Sequence, residues 1–218
     1  MAIIVAVFAS LWAIPVIAVV QILGAQPFAD VARLFTTAAF VTFGGAYAVL
    51  PYIAEAGVNT YSWLTPGEMI NGLALAETTP GPLILVTTYV GYFGGWNGGA
   101  AGLSPAAAGL MAALLTTYVT FLPSFMFIIA GAPYIERLQA LAWAKSALEA
   151  ITAAVVGVIL NLTVFLAKAV LIPGGGAVDW TAVAAGAVAF ALLASGRISV
   201  PWLVVIGAAF GLARVMVF

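Results

Sequence analysis

Apolar residues in this chain come in long runs, and the runs are broken by Gly, Pro and small polar clusters. A helix rises 1.5 Å per residue, so roughly 20 apolar residues cross a bilayer. The pattern predicts spans over about 3–23, 31–54, 105–131, 147–171, 180–195 and 201–217, with 65–95 as an interrupted unit. Backbone groups in lipid must pair within the chain, so helices are the expected spanning elements. The expected fold class is therefore all-α: a polytopic membrane helical bundle of about six to seven spans with interrupted or re-entrant helices.

The punctuation supports these boundaries. Ser104-Pro105 reads as an N-cap with proline at the first helical position, and Thr65-Pro66-Gly67-Glu68 adds a capping-box spacing. Pro173 to Gly176 reads as a flexible loop and Gly196 to Pro201 as a short turn. Trp63, Trp96, Trp180 and Trp202 fall near proposed span ends, where indoles favour the interface, whereas Trp12 does not. Pro15 is a candidate kink, and residues 133–144 read as a short amphipathic stretch at the surface. Gly91-x-x-x-Gly95 and Gly207-x-x-x-Gly211 have the spacing of close helix packing, or reflect only the abundance of glycine in membrane helices.

Composition turns the run pattern into a class. Apolar types make up 65% of the 218 residues and charged types 6%, against about 25% charged in globular domains. One integral membrane domain over 1–218 is the simplest reading. The chain has no Cys and no His, which removes disulfides, thiolate nucleophiles, His-ligated haem, His/Cys zinc sites and imidazole acid–base chemistry. No cofactor or metal is expected, and an intramembrane enzyme is disfavoured because no paired carboxylates stand at a usable spacing. Net charge is −1 with no basic run, so nucleic acid is not an expected partner. No Lys or Arg precedes Arg33, and the run Ile3–Leu23 is too long for a signal h-region, so it is expected to be a retained span.

Two interruptions carry the candidate chemistry. The first is Gly44-Gly45, mid-way through 31–54 and followed by Pro51; the second is Glu77-Thr78-Thr79-Pro80-Gly81-Pro82. A helix over 66–78 is about 20 Å long and cannot cross alone. Residues before proline avoid the α region, so Thr79 and Gly81 are expected to leave the helix, with a new one starting near Pro82. A break frees backbone carbonyls on one side and N–H groups on the other. Pro80 and Pro82 donate nothing, which leaves the N–H groups of Gly81, Leu83 and Ile84, the hydroxyls of Thr78 and Thr79, and the N–H groups of Gly44 and Gly45. Helix N-termini attract anions, and paired broken helices at membrane depth mark transporter sites. The bland alternative is a proline kink that only shapes packing.

Glu77 is a candidate for coupling or gating. Ionisable groups within membranes are costly, and desolvation raises a carboxyl pKa. Alternatively it faces a water-filled vestibule or caps a backbone donor. Glu55 and Glu68 sit nearer span ends, where a solvated role is expected. Asn71 and Thr78 are seven apart and share a helical face; Asn71 and Tyr47 are candidates for lining the path. Arg33, Arg137, Lys145, Lys168, Arg197 and Arg214 all lie near span ends, where snorkelling is the default. If 65–95 crosses once, these cations divide three to three; if it is a re-entrant hairpin they divide four to two, with both termini outside.

The stretch FGGAYAVLPYIAEAGVNTYSWLTPGEMINGLALAETTPGPLILVTTYVGYFGG, residues 43–95, resembles the chromate ion transporter family. The matching features are Phe43-Gly44-Gly45 in an early helix, Trp63 in the following loop and Pro80-Gly81-Pro82 in a broken helix. The form is similar to the C-terminal half of long, two-domain members, or to a short single-domain member. The resemblance implies a secondary transporter in the inner (plasma) membrane that exports chromate, with sulfate as a competing tetrahedral dianion. It also implies pairing, as a homodimer or with a homologous half, because this chain has one set of motifs. It implies substrate contacts at Phe43, Gly44, Gly45, Thr78, Thr79, Pro80, Gly81 and Pro82. The rival expectations are a passive anion channel and a non-transporting membrane subunit that scaffolds a partner half.

Overall fold

The computed structural model describes residues 2–24, 26–41, 46–79, 83–100, 102–135, 141–172 and 176–217. Among these the chain forms α1 (Ala2–Leu23), α2 (Phe28–Val41), α3 (Ala46–Glu55), α4 (Pro66–Thr78), α5 (Val86–Gly98), α6 (Pro105–Gly131), α7 (Ala142–Leu171), α8 (Trp180–Ala194) and α9 (Val200–Val217). The bundle is all-α, as the apolar runs predicted. Segments within α1, α6 and α7 are long and apolar enough to cross a membrane. By contrast, α2 to α5 have 14, 10, 13 and 13 residues. Each is at most about 21 Å long, short of the roughly 30 Å hydrocarbon core.

These four short helices pair into two hairpins that open on the same face. α3 ends in a wide π-helical turn over Ala56–Thr60, closed by the Tyr61 N–H on the Ala56 carbonyl at 2.8 Å. The chain at 61–65 then lies beside the start of α2. There burial pushes the Tyr61 phenol pKa up, the Asp30 charge adds to this, and Arg33 opposes it. The Trp63 carbonyl accepts from Asn97 Nδ2 at 2.7 Å, at the end of α5. A Cβ on Gly98 would lie 2.6 Å from Pro27 Cβ, just before α2. The starts of α2 and α4 and the ends of α3 and α5 therefore share one face. Had α2 and α3 run on in one direction, Thr60 would lie about 50 Å from Pro27.

The interrupted unit is thus the hairpin rather than a crossing. The run 31–54, expected to cross once, is corrected to a second hairpin, α2–α3. Its apolar residues alone could not distinguish these outcomes, because a re-entrant pair buries as much apolar surface as one long span. The charge argument changes with it. Arg33 and Lys168 now fall toward the hairpin face and Lys145 toward the other, so the four-to-two division no longer holds.

α6 runs antiparallel to α5 and is the helix on which both hairpins rest. Glycine makes the approach possible at two points: a Cβ on Gly91 would collide with Thr116 Oγ1, and one on Gly95 with the Ala108 carbonyl. Thr88 and Thr117 bridge the same pair of helices at 2.8 Å. Between the hairpins and α6 lie Phe28, Phe35, Leu50, Ile53, Met69 and Val90, all fully buried. α1 joins this core through Trp12, whose Nε1 donates to Thr36 Oγ1 at 2.8 Å, and through Tyr118 Oη, which donates to the Leu11 carbonyl at 2.6 Å. Trp12 therefore serves the helix interface, which is why it does not follow the interfacial pattern. α7 touches α3 and α4 through its second half, where Leu162 is buried. Its first half, α8 and the described side chains of α9 contain no buried residue. Of the stretch 133–144 expected to be amphipathic, 136–140 lie outside the described residues; Ala132–Tyr134 form a 3₁₀ turn and 142–144 belong to α7.

Candidate functional site

The second hairpin is built by local rules. The Glu68 N–H donates to Thr65 Oγ1 at 3.2 Å while the Thr65 N–H donates to Glu68 Oε2 at 2.7 Å, the reciprocal cap expected from the sequence. α4 stops at Thr78 because Thr79 is extended, at φ −86° and ψ 125°, as a residue before proline should be. Thr79 turns both of its donors back on the helix: its N–H and hydroxyl reach the Leu75 carbonyl at 3.0 and 2.6 Å. Pro82, where a restart was expected, lies outside the described residues; the described chain resumes as a 3₁₀ turn over Leu83–Leu85, and α5 begins at Val86. α3 packs against the 83–85 turn, which brings the two hairpins together near their inner ends.

A crevice of about 400 Å³ opens between α4, α5 and α6. Gly72, Ala76, Thr79, Thr88 and Tyr89 are among its walls. The Tyr89 ring occupies the space that a Cβ on Gly72 would need. Among the described residues no charged side chain lines it, and those that do line it offer hydroxyls and backbone N–H groups to an anion. Behind it Thr87 and Thr116 are fully buried and Thr120 nearly so. Thr87 Oγ1 donates to the Ile84 carbonyl at 2.7 Å, whereas Thr116 Oγ1 and Thr120 Oγ1 have no hydrogen-bond partner among the described residues. Buried unpaired hydroxyls cost about 1–3 kcal/mol each.

The expected site residues divide sharply. Phe43, Gly44, Gly45, Pro80, Gly81 and Pro82 lie outside the described residues. Tyr47 stands in the first turn of α3, and Glu77 and Thr78 in the last turn of α4; their side chains lie outside the description. Thr79 is exposed on the crevice wall with its proton committed to Leu75. Asn71 is exposed on α4, on the side away from buried Gly72 and Leu73. Glu55 is exposed and accepts from Asn59 Nδ2 at 2.7 Å, and Glu68 is half-buried and caps α4. Among the described residues no group of His, Cys, Asp or Glu could hold a metal ion.

Sequence reasoning missed the threonines of the α5–α6 seam. A signal was present: Val86-Thr87-Thr88-Tyr89-Val90 and Leu115-Thr116-Thr117-Tyr118-Val119 are near-copies, and the structure lays them against each other.

Residues 29–212, more than four-fifths of the chain, match the chromate transporter family. The chain belongs to that family. It is 33% identical over 165 residues to a chromate transport protein of Pseudomonas aeruginosa, covering 73% of this chain and 35% of that protein. It is 29% identical over 134 residues to a chromate transport protein of Cupriavidus metallidurans, covering 62% of this chain and 30% of the relative. A probable chromate transport protein of Synechococcus elongatus is 24% identical over 161 residues, 74% of this chain and 38% of that protein. The chain thus spans about a third of the length of these curated relatives. No solved structure matches it. The crevice and both hairpins fall inside the segment that defines the family.

Proposed function

We propose that the chain is one half of a secondary transporter for a tetrahedral oxyanion, and that its substrate is chromate, moved out of the cell across the inner membrane, with sulfate competing. The observation that carries this reading is the pair of short-helix hairpins entering from one face, whose connecting segments contain Phe43-Gly44-Gly45 and Pro80-Gly81-Pro82. Helices that stop inside a membrane leave backbone donors where an oxyanion can replace its water. Gly44, Gly45, Thr78, Thr79 and Gly81 contact the anion, with Phe43, Pro80 and Pro82 holding the two turns. Glu77 sits one residue before these hydroxyls and gates or couples the movement, protonated or turned away while the anion is bound. Tyr47 and Asn71 line the path. The crevice lies open on one side of this chain, and the relatives are about three times as long as the segment they share with it; both favour a second half, homologous or identical, that closes the site.

Replacing Gly81 with Leu should abolish chromate efflux while insertion and folding persist. Normal efflux by that variant would refute the site assignment. Reconstituting the chain alone and with a homologous half separates the roles further: flux from the paired preparation only is expected, and a concentrative, proton-sensitive flux distinguishes a transporter from a passive channel.

A further inference from the structure

One feature of the fold has no part in that reading. Between α1 and α2 runs a cavity of about 450 Å³ whose walls include Val16, Ile17 and Ala32, with Gln21, Arg33 and Thr37 among its polar residues. It shares Trp12 and Thr36 with a second cavity of about 350 Å³, walled by Val5, Phe8, Phe40 and Met126. Together they make one groove along α1 from Gln21 to Val5, about 24 Å long at 1.5 Å per residue. Gln21 and Arg33 lie toward the face where the hairpins open, Thr37 lies a turn deeper than Arg33 at the level of Trp12, and the deep end is apolar. Arg33 makes no hydrogen bond or ion pair among the described residues, although Asp30 stands three positions before it.

We propose that this groove binds an anionic phospholipid, with the phosphate on Arg33 and Gln21 and an acyl chain along Val16, Trp12 and Phe8. The shape decides between sources of the anion. A free oxyanion needs the two polar groups and has no use for the apolar floor, which runs about 16 Å from Val16 to Val5, close to one leaflet of roughly 15 Å. A lipid needs both, in this order from the membrane surface inward. Basic pockets between membrane helices are known lipid headgroup sites. An acyl chain here also fills the gap between a crossing helix and the re-entrant α2, so occupancy braces the α2–α3 hairpin from the lipid side.

Trp12 lines both halves of the groove and reports on it. Wild-type protein and a Trp12→Phe variant are reconstituted in phosphatidylcholine vesicles containing a minor fraction of bromine-labelled phosphatidylglycerol or bromine-labelled phosphatidylcholine. The quenching that disappears in Trp12→Phe is the groove signal. It should be several-fold stronger for the phosphatidylglycerol label, be competed by unlabelled phosphatidylglycerol, and lose that preference in Arg33→Gln. Ala9→Phe, which changes only an exposed position on the deep wall, should reduce quenching by either label. Equal quenching by both labels, or an unchanged preference in Arg33→Gln, overturns the proposal. So does competition by sulfate at fixed ionic strength without competition by phosphatidylglycerol, which would make Arg33 a free-oxyanion site. A groove signal that falls only with protein self-association would assign the groove to a second copy, and would also overturn it.

Discussion

The chain contains the same motif twice with opposite outcomes. Gly91-x-x-x-Gly95 on α5 is sealed against α6, where Thr116 and the Ala108 backbone take up the room that side chains would need. Gly207-x-x-x-Gly211 on α9 has nothing within 4 Å of either position and borders a cavity of about 760 Å³ between α7, α8 and α9. Small residues permit close approach; they do not cause it. At the first pair the loop 99–104 is short and α6 is held by the Thr88–Thr117 bridge and by α1, so the helices are forced together. At the second pair the loop 195–199 is as short, so a short connection alone does not close a helix pair. The comparison extends to the regions around them: the hairpin core from Phe28 to Gly131 is closed on itself, while the first half of α7 with α8 and α9 presents apolar surface outward. That surface faces lipid or, in the half-transporter reading, a second half.

The largest effect is expected at the sealed pair. Gly95→Leu has no room, and overpacking of this kind costs about 1–3 kcal/mol or more. The fraction of folded protein in detergent, read by size-exclusion and thermal unfolding, should collapse. Gly207→Leu should leave it within about 0.5 kcal/mol of wild type. Equal loss in both variants would mean that α9 is packed as tightly as α5.

The hairpins can be tested next by side-specific labelling. Cysteines at Thr60, Gly99 and Gln26 should all react from one face, and one at Ser146 from the other. Labelling of positions 60 and 99 from opposite faces would reinstate a crossing in 65–95. The smallest effect is expected at the start of α4. Thr65→Ala removes the reciprocal cap and should lower stability by about 1 kcal/mol, without changing which face Thr60 reports on.

Much of the local structure was legible in the residues themselves. The start of α4 at Pro66, its end at Thr78, the extended Thr79 and the start of α6 at Pro105 follow from capping and proline rules that act within four residues. Membership of the bilayer-spanning class follows from composition. Of the crevice, Thr79 was singled out by sequence, whereas the Thr88–Thr117 bridge and the buried Thr116 and Thr120 were not, since their partners are 29 residues apart or not among the described residues.

The sequence by itself determined where helices begin and stop, because those events are set by nearest neighbours along the chain. Only the tertiary structure decided their direction. Whether α3 continues α2 or returns beside it depends on contacts such as Asn97 with Trp63 and Gly98 with Pro27, across separations of 34 and 71 residues. An apolar run carries no record of such contacts, since either path buries it equally well.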